Sequence, residues 1–187
     1  MTTRMIITLL LFIPFWLQPA AADDYQDTVK MFKDAKAPQA FFDRAYGYAI
    51  FPTVGKAGFI VGGAYGEGRV YKNHQYMGKT TLYQASIGFQ MGGQAYSQVI
   101  FFEDERAYKD FTSDNFEFSA QAAVVVLTAG ASAEAGTKGM STSASGGQNN
   151  AKTTADYYKG MATFIIAKGG LMYEASIAGQ KFKFEPK

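Results

Sequence analysis

Apolar side chains recur along this chain at two periods, and the switch from one to the other divides it. Over residues 24–36, Tyr25, Val29 and Phe32 recur at i, i+4 and i+7, which is one face of a helix. Lys30, Lys33 and Lys36 lie beside that stripe or off it, with Asp27 and Asp34 behind. Pro38 suits a first helical turn and predicts a second short helix over 39–46, with Gly47 as its left-handed cap. From Tyr48 onward the period shortens. Residues 48–51 and 56–71 read as strands with Pro52 confined to the break between them, and 73–79 reads as a turn. Thr81, Tyr83, Ala85, Ile87, Phe89 and Met91 then alternate with Leu82, Gln84, Ser86, Gly88 and Gln90, the signature of a half-buried strand. Gly92-Gly93 predicts a hairpin turn into a strand over 94–102.

The second half is patterned differently. Residues 103–110, EDERAYKD, read as a solvated helical turn or two, and the valine-rich 116–128 as one buried strand. Residues 129–151 are almost all Ala, Gly, Ser, Thr and Asn, too small to fill a core, and read as a long mobile loop. A C-terminal meander follows. With Lys168-Gly169 as a two-residue turn, Ile166 faces Leu171 and Phe164 faces Tyr173. With Ala178-Gly179 as the next, Ala175 faces Phe182, Tyr173 faces Phe184 and Glu174 faces Lys183. The expected fold is α+β: an antiparallel sheet or partly closed barrel of hairpins, with short N-terminal helices packed on it.

Composition removes several functions. Arg4, an apolar run over 5–17 and Ala20-Ala21-Ala22 lay out a secretory signal peptide over 1–22, leaving 23–187 as a single domain. Loss of a leader holding Arg4 leaves 17 basic against 16 acidic side chains, a balance that argues against nucleic acid. With no cysteine, an oxidising compartment gives the chain no disulfide. Glycines 47, 55, 58, 62, 63, 66 and 68 crowd one stretch, but Gly63, Gly66 and Gly68 read G-x-x-G-x-G, the reverse of the dinucleotide order. A tightly packed, bent strand pair is the better account.

Candidate chemistry is sparse. His74 is the one histidine and lies in a polar turn, YKNHQYMG, with no cysteine to activate. No ligand spacing for zinc occurs, and Glu103-Asp104-Glu105 are adjacent and therefore splayed. These patterns predict no enzyme, no cofactor and no metal. Binding fits better, because basic and aromatic side chains together suit an anionic membrane. Phe41-Phe42 beside Arg44 reads either as an apolar wedge or as packing onto the sheet. An eight-stranded outer-membrane barrel is the alternative, suggested by tyrosine-rich alternation and glycine turns.

Several blocks resemble one family. Ala45, Gly47, Ala49 and Ile50, then Lys56-Ala57-Gly58-Phe59, then Gly92-Gly93-Gln94 stand in the order found in the SYLF lipid-binding domains. Lys168-Gly169-Gly170-Leu171 resembles their lysine–glycine–leucine turn with one glycine added. The resemblance implies a non-enzymatic domain binding anionic lipids, phosphoinositides among eukaryotic members, some of which also bind actin. It points to Lys30, Lys33, Lys36 and Arg44 on basic N-terminal helices, with Lys56 as a further candidate and Phe41 and Phe42 as apolar neighbours. The 129–151 loop lacks the family's Gly-Pro-x-Gly-Arg pattern. The leader predicts an exported, periplasmic protein peripheral on an envelope membrane, which argues against actin as a partner.

Overall fold

The structure, a computed structural model, describes residues 20–58, 61–87, 93–113, 116–119, 123–127, 141–144, 156–168, 177 and 179–187. The signal-peptide reading falls almost wholly outside them. Two helices open the fold, α1 (Ala20–Asp34) and α2 (Lys36–Arg44). Ala45 leaves α2 in extended geometry, and Gly47 is the first residue of β1 (Gly47–Gly58) rather than a left-handed cap. Gly47 has to be small there, since a Cβ would run into the Tyr71 carbonyl oxygen.

β1 continues through Pro52 rather than breaking at it. Its pairing shifts register between Ile50 and Val54 against β2 (Val61–Lys72), and between Phe51 and Val54 against β4 (Gly93–Phe102). Proline has no N–H to give a ladder, so a strand tolerates it at such a bulge. The extra residue returns Val54 to the face that holds Phe51, and the Ser97 hydroxyl donates to the Pro52 carbonyl at 2.7 Å. β2 turns into β3 (Gln75–Ile87) through Asn73 and His74 alone, with φ of 48° and 63°. The expected seven-residue turn shrinks to two because this tight hairpin turn has positive φ at both positions, which asparagine tolerates well.

β4 does not pair with β3. It lies on the far edge of β1, Tyr48 opposite Phe101, so the hairpin expected at Gly92-Gly93 does not form; residues 88–92 lie outside the described ones. Past α3 (Glu105–Phe111), the expected strand over 116–128 is two separate strands: β5 (Phe116–Glu117) and β6 (Ala123–Leu127). β7 (Ser141–Ala144) pairs with β6 inside the stretch read as a loop. β8 (Met161–Ala167) joins β4 and runs parallel to β6, while β9 (Gln180–Pro186) joins β3 and β5. Most of the middle strand of the expected meander, Leu171 to Ala175, lies outside the described residues, and Lys183 pairs with Glu185 at 2.8 Å.

The strand order is β5-β9-β3-β2-β1-β4-β8-β6-β7. Laid flat, β5 and β6 would stand about 34 Å apart at ~4.8 Å per strand. The chain from Glu117 to Ala123 can span at most about 22 Å. The sheet therefore curls into a partial barrel, and Phe51 of β1 meets Phe182 of β9 across its interior at 5.8 Å. This is the α+β, helix-covered sheet the sequence predicts.

Each face of the curl carries a core. Inside lie Phe51, Val54, Leu82, Ile100, Phe102, Phe111 and Phe182. Outside, under α1 and α2, lie Ile50, Val99, Phe101, Phe164 and Ile166. β4 from Tyr96 and β8 through Ile166 are buried throughout because both of their faces are covered. The outer-membrane-barrel alternative fits poorly. Phe182 points in while Lys181 and Lys183 point out, the reverse of the apolar-out alternation such barrels need.

Candidate membrane-binding surface

α1 is anchored by the stripe that its spacing predicts. Phe32 is fully buried, Tyr25 and Val29 are half-buried against the same core, and Thr28 donates to the Asp24 carbonyl at 2.6 Å. α2 contributes Pro38, Phe41 and Phe42. Phe41 stacks on Phe101 at 5.5 Å and meets Phe164 and Tyr157 edge-on at 5.1 Å each. Phe42 stands perpendicular to Phe101 at 4.8 Å and edge-on to Tyr48 at 5.3 Å. Aromatic pairs in this range add ~0.5–1.5 kcal/mol each beyond the area they bury. Phe41 and Phe42 are 2% and 4% exposed. They are core, and the wedge reading is corrected: burial leaves neither ring available to a bilayer.

The cations lie above this aromatic layer. Lys33 stands 5.4 Å over the Phe42 ring, and the Arg44 guanidinium 4.2 Å over Phe41 and 5.4 Å from Tyr157. Burial raises the Tyr157 hydroxyl above its ordinary range, and Arg44 beside it pulls the other way. Lys30 and Lys36 are exposed. Among the described residues, Lys30, Lys33 and Arg44 form no ion pair within 4 Å. Along α1 the acids Asp24 and Asp27 precede Lys30 and Lys33, and Asp34 is the last residue. α2 adds Lys36 and Arg44, with one acid, Asp43.

Lys56 belongs elsewhere. It lies six residues beyond Ile50 on β1, about 20 Å along the strand at ~3.3 Å per residue. There it borders an open groove of about 700 Å³ together with Tyr65, Gln94 and Lys168. Lys168, read from sequence only as a turn residue, donates to the Thr53 hydroxyl at 3.1 Å. Arg69 was also not legible: it stacks 4.1 Å over Tyr25 and so extends the basic layer onto β2, a position only the tertiary packing of α1 reveals. His74 sits exposed in its turn, and the described residues hold no group of three or more potential metal ligands. No described helix is long and apolar enough to cross a membrane.

A family model described as "Ysc84: Las17-binding protein actin regulator" matches residues 83–186, more than half of the chain. The chain belongs to the Ysc84 (SYLF) family. A curated relative in this family, the beta cell expansion factor A of Aeromonas veronii, is 28% identical over 158 residues. Those residues cover 82% of this chain and 51% of the relative, so the chain spans about half that protein's length. SYLF membership supports a lipid- or membrane-binding type of domain, in a family that is generally non-enzymatic. The family match starts at Tyr83, so α1, α2, β1 and β2 all precede it.

Proposed function

We propose that this SYLF domain binds the anionic surface of an envelope membrane reversibly and makes or breaks no covalent bond. The observation that carries the reading is the division of labour on α1 and α2. Their aromatic stripe is consumed by the sheet, and Lys30, Lys33 and Arg44 are left at the surface above it. With the rings buried, attraction rests on charge rather than insertion, so it weakens as salt shortens its reach to about 8 Å at physiological ionic strength. In this reading the chain is exported and peripheral, its partner is lipid, and actin is not a partner because the leader takes the chain out of the cytoplasm.

Flotation with vesicles of neutral lipid, with and without phosphatidylglycerol or cardiolipin, tests the proposal. Recovery should require the anionic lipid and fall with added salt. The triple variant Lys30→Glu, Lys33→Glu, Arg44→Glu should lose it, each cation contributing about fivefold in affinity. Equal recovery on neutral and anionic vesicles would reject the electrostatic mechanism.

A further inference from the structure

Among the described residues the curl of the sheet is incomplete, and the gap has a defined chemistry. β5 contributes only two residues to the β9 edge, and β6 joins β8 only from Phe164 to Ile166. Among the described residues, Met161, Ala162 and Thr163 therefore have no strand partner on that side. A cavity of about 340 Å³ opens there, at a mouth of the barrel interior. Its floor is Phe116, Phe118, Met161 and Thr163; Phe118, Met161 and Thr163 are each less than a tenth exposed. Its rim carries Arg106 of α3 and Lys159.

The rim is held rigidly. Lys159 and Gly160 form a two-residue turn, with φ of 53° and 81°, closed by reciprocal hydrogen bonds between Tyr158 and Met161 at 2.9 and 3.1 Å. Gly160 packs so closely on α3 that a Cβ would stand 2.7 Å from the Arg106 Nη2 and 3.0 Å from the Ala107 Cβ. Its carbonyl accepts from the Glu103 N–H at 2.8 Å, which ties the turn to the start of α3. Two carboxylates also line the cavity, and each already has a cation: Asp110 pairs with Arg106 at 3.1 Å and Glu117 with Lys181 at 3.4 Å. Lys159 has no carboxylate within 4 Å among the described residues. Asp104 also pairs with Arg106, at 3.7 Å, so Lys159 is the rim cation left without a carboxylate, above an apolar floor.

We propose that this mouth binds a single-chain anionic amphiphile, its chain on Phe116, Phe118 and Met161 and its head at Lys159. The volume equals about eleven water-sized groups, room for a chain of roughly ten carbons. Such a cavity is at the small end of ligand sites, in a barrel mouth where they recur. The inference shares the lipid class of the proposed function, but it uses none of the cations on α1 and α2.

Isothermal titration of the full chain with dodecanoate, and in parallel with lauroyl-lysophosphatidylglycerol, tests it and tells a free fatty acid from a lysolipid as the source. Saturable one-to-one binding of at least one of the two is expected, with the neutral dodecanol weaker. Thr163→Trp fills the cavity and should abolish binding in a chain whose near-UV circular dichroism shows it folded. Lys159→Glu changes only the exposed rim and should weaken binding about five- to tenfold. No saturable binding by the parent chain, undiminished binding by folded Thr163→Trp, or unchanged affinity in Lys159→Glu would each overturn the proposal. The triple helix variant should still bind the amphiphile, so loss of vesicle flotation with amphiphile binding intact sinks only the surface reading.

Discussion

Inside the curl, Gln98 and Gln180 lock their side-chain amides together at 2.9 and 3.2 Å, and Gln180 also donates to the Tyr96 hydroxyl at 3.1 Å. Outside, the layer under α1 and α2 is built of stacked rings with cations laid over them. The two glutamines are 82 residues apart in sequence, whereas Phe42 and Tyr48 are near neighbours. The inner face thus joins the middle of the chain to its C-terminal strand, and the outer face attaches the N-terminal helical layer to the sheet. A buried amide pair costs heavily if half-made, so it also fixes the register of β4 against β9 across the interior. The contrast teaches that one face holds the architecture and the other holds the surface on which binding is proposed.

The largest effect should come from breaking the inner face. Phe182 contacts Phe51, Phe111, Phe116 and Phe118 at 4.9–5.9 Å, rings drawn from β1, α3, β5 and the residue after it. Phe182→Ala should cost about 5 kcal/mol in urea unfolding, and Phe42→Ala, with fewer rings around it, about 3 kcal/mol. A larger loss at Phe42 would reverse the ranking of the two faces. Gln98→Leu should come next at about 1–3 kcal/mol, because it strands the Gln180 amide in the interior; the Gln98→Leu, Gln180→Leu pair should cost less than the sum of its members.

The smallest effect is one of pH and belongs to the outer face. Burial, with Tyr71 stacked 5.0 Å away, pushes the Tyr48 hydroxyl up to about 12 from its ordinary value near 10. The unfolded chain ionises this phenol first, so its contribution is complete below pH 10 and is lost as pH rises from 10 to 12. Urea midpoints should be flat across pH 8–9 on this account and fall above pH 10, and Tyr48→Phe should lessen the fall. An alkaline fall unchanged in Tyr48→Phe would place its source elsewhere, with Tyr96 the inner-face candidate, since burial raises it as well.

Local signals were legible wherever neighbours in sequence are neighbours in space. The spacing of Tyr25, Val29 and Phe32 located α1, and the alternation after Leu82 located β3. Even there a face was decided by tertiary context: Leu82 and Gln84 point inward while Tyr83, the larger apolar side chain, is left 47% exposed. Lys30 and Lys33 were readable as surface cations from their place beside or off the apolar stripe, and Arg44 from the family resemblance. Arg69 was not, since nothing in β2 announces that a tyrosine of α1 will settle on it.

The sequence by itself determined an α+β domain with two leading helices, a largely antiparallel sheet and the family to which it belongs. Period, turn chemistry and composition are properties of adjacent residues, and they need no partner to be read. Only the tertiary structure decided that β4 leaves β3 for β1, that the 116–128 stretch divides between opposite ends of the sheet, and that the curl, among the described residues, stops short of closure. Those outcomes depend on which strand edge is still free and on which faces can be covered together. Competition of that kind is settled by the whole chain at once, and it is what leaves the lysine-rimmed mouth between α3 and β8.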